Sequence, residues 1–181
     1  MPFPMGLVLA TMLALALSEG LTARSQSRVE GRTPDIHFAP TRHNIADAML
    51  KLANVTADDV VYDLGSGDGR LPIIAAQKYG ARGVGIEIDP RLVEIAREIA
   101  SQAEVAKRVS FIQGDLFESD LSQATVITMY LSTSIMQILE PRLRALKPGT
   151  RIVSHQFAMP TWAPDQRIRV DESELLLWVV K

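Results

Sequence analysis

Residues 63–70 read Asp63-Leu64-Gly65-Ser66-Gly67-Asp68-Gly69-Arg70, and the fold turns on them. Val60-Val61-Tyr62 runs into Asp63-Leu64 as a short strand of buried type. Gly65 to Gly69 breaks it, and Leu71 to Tyr79 then reads as a helix stopped by Gly80. Strand, glycine loop and helix in that order place a ligand at the carboxyl edge of an α/β sheet. Glycine suits the loop because a backbone without Cβ turns sharply and lets a ligand come close.

Outward from the loop, strand and helix signals alternate from Asp35 onward, as an open α/β sheet requires. His43 to Ala53, apolar at Ile45, Met49, Leu50 and Leu52, is a helix that precedes the sheet. Gly83 to Ile88 is the second strand. Asp89 caps the helix after it, with Pro90 at the first helical position. Leu92, Ile95, Ala96 and Ile99 give that helix one apolar face. Val109 to Gln113 is a third strand ending at Gly114-Asp115, and Ala124 to Leu131 a fourth, apolar enough to be covered on both faces. A helix through Ile138, Leu139, Leu143 and Leu146 ends at Lys147-Pro148-Gly149. Arg151 to Phe157, Arg167 to Val170 and Leu175 to Val180 complete seven strands. The short turn Asp171-Glu172-Ser173 makes the last two an antiparallel hairpin. The expectation is a doubly wound, Rossmann-like α/β fold over residues 35–181, with a mostly parallel seven-stranded sheet.

Two ligands compete for the loop, a dinucleotide and S-adenosylmethionine. The dinucleotide pattern G-x-G-x-x-G fails, because its sixth position is Arg70 and Gly69 comes one place early. Asp63 and Asp68 bracket the loop, so a pyrophosphate there meets two carboxylates, a repulsion of several kcal/mol in a partly desolvated site. S-adenosylmethionine carries an ammonium and a sulfonium instead. Glu87, at the end of the second strand, is placed to accept both ribose hydroxyls. Asp115 is placed to meet the adenine amino group, with Leu116 beneath the ring. Each acid alone is more often a solvated turn residue or a helix cap. Three of them at the ends of three successive strands around one glycine loop form a constellation.

These residues resemble the class I S-adenosylmethionine-dependent methyltransferases, with D-x-G-x-G-x-G after the first strand and an acid after each of the next two. A narrower resemblance rests on Phe38-Ala39-Pro40-Thr41, VYDLGSGDGR at 61–70, GVGIEIDP at 83–90, FIQGDLFESDLSQATVITMYL at 111–131 and LKPGTRIVSHQF at 146–157, with Trp162 and Pro164-Asp165. It is to the seven-β-strand protein lysine methyltransferases, the type that modifies ATP synthase c-subunit and adenine nucleotide translocase. The resemblance implies S-adenosyl-L-methionine as cofactor, held by Asp63, Gly65, Ser66, Gly67, Asp68, Gly69, Glu87, Asp115, Leu116 and Thr41. It implies a protein substrate, membrane proteins included. The sequence departs from the pattern at Ser132-Thr133-Ser134-Ile135-Met136 and at Arg42, both where a methyl acceptor approaches.

The expected chemistry is in-line displacement of the sulfonium methyl, with the protein orienting the acceptor and excluding water. Tyr130, at the end of the fourth strand, is the candidate for lining the transfer site, against a plain core role. Thr41 is a candidate contact for the methionine carboxylate and Phe38 a candidate wall, against a helix cap or staple. His155 ends a strand at the same edge, where a lone histidine is more often hydrogen-bonded structure than a base. His37 and His43 have no partner acids at ligand spacing, so no metal is expected. A small-molecule or RNA methyltransferase on the same fold remains open, as does a non-catalytic S-adenosylmethionine-binding module.

Composition narrows the partners. The net charge is −2 with no long basic run, which disfavours duplex nucleic acid, and the chain has no cysteine for disulfides, thiolate zinc sites or thiol nucleophiles. Farthest from the loop, Met5 to Leu17 is an uncharged apolar run, followed by a polar linker over 19–34. Its length suits a cleaved signal peptide over residues 1–18. Arg24, Arg28 and Arg32 after it suit a membrane anchor with the domain in the cytoplasm. Both readings stand on the sequence.

Overall fold

The computed structural model describes residues 39–181. The apolar run at 5–17, the linker at 19–34, His37 and Phe38 lie outside the described residues. In chain order the elements are α1 (His43–Leu52), β1 (Val60–Leu64), α2 (Arg70–Tyr79), β2 (Arg82–Glu87), α3 (Pro90–Gln102), β3 (Val109–Gln113), β4 (Val126–Met129), α4 (Thr133–Arg144), β5 (Arg151–His155), β6 (Gln166–Val170) and β7 (Ser173–Val179). The strands form one sheet in the order β3-β2-β1-β4-β5-β7-β6. β1 pairs in parallel with β2 and β4, and these in turn with β3 and β5. β7 runs antiparallel to both β5 and β6. The doubly wound sheet and its terminal hairpin are both present. Strand order reverses beside β1, and such switch points are where open α/β sheets take ligands.

Alternation along each strand divides the core between two faces. On one, Val61, Val126, Val153, Leu175 and Leu177 pack under α1 and α2, and Phe111 packs under α2 and α3. On the other, Tyr62, Leu64, Ile86, Ile127, Met129, Ile152 and Trp178 pack against α4. No helix bridges β5 to β6; residues 156–165 cross this second face as an irregular strap. Glu140 of α4, almost fully buried, ties the strap down by accepting from Thr161 N at 3.0 Å and Thr161 Oγ1 at 2.5 Å. Trp178 Nε1 donates to the Trp162 carbonyl at 2.8 Å, so Trp162 packs over β7.

Two helices differ from their sequence reading. In α3 the buried face is Val93, Ala96 and Ala100, while Ile95 is 43% exposed. The sheet beneath is close enough that small residues face it, so the apolar stripe is rotated from the one that hydropathy alone marks. In α4 the buried residues include Ile135, Met136, Leu139 and Leu143, whereas Ile138 is exposed. This helix ends at Arg144, before Lys147-Pro148-Gly149. Ala145 N bonds Arg142 O and Leu146 N bonds Leu143 O, an i to i−3 pattern that tightens the last turn and closes the helix early. Among the described residues no helix is long and apolar enough to cross a membrane.

Candidate functional site

The site grows from the turn between β1 and α2. Gly65, Gly67 and Gly69 have φ of 73°, 55° and 77°, a left-handed backbone that a side chain disfavours. At Gly69 a Cβ would also stand 2.5 Å from the Phe111 ring. The loop is pinned to β2: Gly65 N and Ser66 N both donate to Ile86 O at 3.0 Å, and Gly67 N donates to Glu87 Oε2 at 2.9 Å. Glu87 Oε1 accepts from Asp89 N at 2.9 Å. A carboxylate oxygen has two lone pairs, so each oxygen of Glu87 retains acceptor capacity beyond these backbone bonds.

Asp63 lies beneath the loop and is 3% exposed. Burial pushes its carboxyl up to about 7; the Thr128 hydroxyl, donating at 2.7 Å, opposes this, and the nearby Asp68 and Glu87 charges add to it. Asp68 is held by Arg70, whose Nε donates to Asp68 Oδ1 at 2.9 Å and whose Nη2 binds Oδ2. Arg70 Nη1 also donates to the Thr41 carbonyl at 2.6 Å, which ties the entry to α1, and with it buried Thr41, to the glycine loop. On sequence Asp63 and Asp68 count as two carboxylates facing a ligand. In the structure one is paired and the other is buried and half-protonated near neutrality. The repulsion of a pyrophosphate is therefore weaker than the bare sequence implies.

At the end of β3, Gly114 N donates to Glu87 O at 2.9 Å, which sets Asp115 beside the end of β2. Asp115 Oδ1 accepts from Phe117 N at 2.9 Å, and Leu116 packs against the second-face core. Asp63, the loop 65–69, Glu87 and Asp115 are thus gathered at one edge of the sheet. Ser66 Oγ is buried there beside the Asp63 carboxyl, whose charged form it helps to stabilise, and makes no other hydrogen bond. Three left-handed glycines and an acceptor-rich Glu87 fit an adenosyl ligand with an amino-acid tail.

Tyr130 directly follows β4. Its ring centroid lies 4.1 Å from that of His155 and 6.0 Å from that of Phe157. His155 is 6% exposed, its Nε2 bonds Ser173 Oγ at 2.9 Å, and its Nδ1 is buried without a partner. Burial lowers its pKa and keeps the ring neutral. Residues 132–136 open α4: Met136 N bonds Ser132 O, and Ile135 and Met136 point into the core. Two of the five residues of that departure are therefore packing. Among the described residues no cluster of three or more His, Asp or Glu could hold a metal. Sequence reasoning left Arg70 without a role although it stands two residues from Asp68. Phe157 was read only as the end of a strand, and its stacking on Tyr130 depends on the turn after β5.

Residues 63–166 match the family model described as ANTKMT methyltransferase domain. The chain is 40% identical over 144 residues to a protein-lysine N-methyltransferase of Saccharolobus islandicus (strain REY15A), covering 78% of this chain and 89% of that protein. It is 40% identical over 161 residues to the adenine nucleotide translocase lysine N-methyltransferase of Mus musculus, covering 88% of this chain and 67% of that one. Among solved structures, an RNA methyltransferase from Salinibacter ruber in complex with S-adenosyl-L-homocysteine superposes with a TM-score of 0.77 at 53% identity. That match covers 78% of this chain and 94% of the other.

Proposed function

This chain belongs to the ANTKMT methyltransferase family and is an S-adenosylmethionine-dependent methyltransferase, and from that premise we propose that it methylates a lysine side chain of a protein. The observation that carries the reading is the aromatic corner of Tyr130, His155 and Phe157 at the ends of β4 and β5, with β4 the neighbour of β1, from which the glycine loop leaves. Aromatic faces attract an ammonium group and pack along a lysine stem. A lysine must lose its proton before it attacks, and a desolvated mouth favours the neutral amine. The neutral His155 ring adds no charge to repel a cation. The cofactor supplies the activated methyl group; this chain's residues bind it and aim the acceptor. In this reading the loop 65–69, with Asp63 and Asp68, cradles the amino-acid end and Thr41 meets its carboxylate. Glu87 takes the ribose, and Asp115 and Leu116 take the adenine.

Both the archaeal and the mouse relative act, by their names, on protein lysine. A second reading, an RNA acceptor, is favoured by the Salinibacter ruber relative. The net charge of −2 weighs against it. The test gives the full chain labelled S-adenosylmethionine together with cell protein and, separately, cell RNA. Methyllysine found by mass spectrometry, reduced at least tenfold in Tyr130→Ala while S-adenosyl-L-homocysteine binding persists, supports the lysine reading. Label in RNA alone replaces it, and label in neither leaves a binding module.

The run at residues 5–17 completes the proposal as a membrane-associating segment with the domain facing the cytoplasm, where the cofactor is. The arginines at 24, 28 and 32 support that orientation. Protection from added protease until the cells are permeabilised is the expected result. A mature protein beginning near residue 19 outside the cytoplasm would overturn it.

A further inference from the structure

We propose that Arg142 is the positioning residue for the Asp115 carboxylate, and hence for recognition of the adenine amino group. This rests on the reading that Asp115 meets that group. The connection from β3 to β4 has no helix to stiffen it, so the turn after Asp115 needs another support. Within the turn, Phe117 N donates to Asp115 Oδ1 at 2.9 Å. Glu118 N and Ser119 N donate to Asp115 O at 3.0 Å, and Ser119 Oγ to the same oxygen at 2.7 Å. These bonds engage four donors of the turn.

Three of its carbonyls are taken by one guanidinium. Arg142 Nη1 donates to Leu116 O at 3.0 Å and to Phe117 O at 2.7 Å, and Nη2 donates to Ser119 O. Arg142 stands on α4 between Leu139 and Leu143, both sunk in the second-face core, so the clamp has a rigid base. A planar fork can grip three carbonyls at once, which a lysine ammonium on a flexible stem cannot reproduce. Phe117 joins the two halves: its N–H orients the Asp115 carboxylate and its carbonyl is held by Arg142. Loosening the clamp frees the turn, and with it the direction in which Asp115 presents its oxygens.

The test measures dissociation constants of the full chain for S-adenosyl-L-homocysteine and for S-inosyl-L-homocysteine, in which a carbonyl replaces the 6-amino group. A carboxylate accepts from the amino group and repels the carbonyl, so the native protein should prefer the adenosyl ligand on the order of tenfold to a hundredfold. Arg142→Lys should shrink that ratio at least about fivefold, and Ser119→Ala should shrink it less but in the same direction. A merely structural role weakens both ligands together and leaves the ratio alone. Should Arg142→Lys fail to fold, Arg142→Gln, which keeps an amide donor for one carbonyl and loses the fork, decides. Asp115→Asn serves as the control. If it collapses the ratio while the Arg142 variant does not, the positioning role is wrong. If Asp115→Asn itself leaves the ratio intact, the adenine reading of Asp115 is wrong, and the proposal falls with it.

Discussion

Glu87 joins two backbone segments through one carboxylate, the glycine loop through Gly67 N and the start of α3 through Asp89 N. Glu87→Gln keeps the shape but leaves one acceptor oxygen, so one of the two N–H groups then faces an amide NH2. Such a buried, unsatisfied donor costs about 1–3 kcal/mol. The expected outcome is a lower melting temperature together with at least about tenfold weaker S-adenosyl-L-homocysteine binding by calorimetry. A variant that melts like the native protein and binds as tightly would remove Glu87 from both roles. Glu87 and Asp115 were legible because strand ends can be read from hydrophobic runs, and an acid at such an end stands out. The state of Asp63 and Asp68 was not legible. Counting charges cannot tell a carboxylate clamped by Arg70 from a solvated one, nor place Asp63 beneath the loop rather than on its rim. Arg142 gave no signal at all, since its partners are backbone carbonyls 23 to 26 residues away.

At the scale of elements, β2 and the helices over it are held at a distance set by glycine. A Cβ on Gly85 would stand 2.4 Å from Ser66 Oγ and 2.6 Å from the Phe111 ring, and one on Gly83 would stand 2.7 Å from Pro72 Cβ. Gly85→Ala therefore overpacks a site where backbone strain is no issue, and overpacking of this kind costs about 1–3 kcal/mol. Chemical denaturation should show that loss. Adding Phe111→Leu should return part of it, although Phe111→Leu alone destabilises. Additive losses in the double variant would mean that the two residues do not share the contact. The same close approach explains why the strands were easier to read than the faces of the helices. A buried strand shows as a continuous apolar run whatever lies over it, as in β1. The inward face of α3 depends on how near the sheet is, and there small Ala96 and Ala100 displace the larger Ile95.

Across the whole molecule, the two titrating groups of the active edge act on stability in opposite senses. Asp63 and His155 lie on the same face of the sheet, Asp63 paired in register with Thr128 and Thr128 with Val153, two residues before His155. Asp63, raised to about 7 by burial, holds a proton in the folded state that the unfolded chain releases near its ordinary value of 3.8. Raising the pH across that interval withdraws stability. His155, lowered by burial, stays neutral in the folded state where the unfolded chain takes up a proton below about 6.5. Lowering the pH below that point withdraws stability. Each slope is at most about 1.4 kcal/mol per pH unit, and over the interval below pH 6.5 in which His155 stays neutral in the folded state they oppose each other. Native stability should therefore vary little in that interval. Asp63→Asn should leave the histidine slope alone, so that its melting temperature falls from pH 7 to pH 5. His155→Gln should leave the aspartate slope, so that its melting temperature falls from pH 5 to pH 7. Two variants sloping the same way would show that one of these groups is not in the state its burial dictates, and the sign of the shared slope would say which.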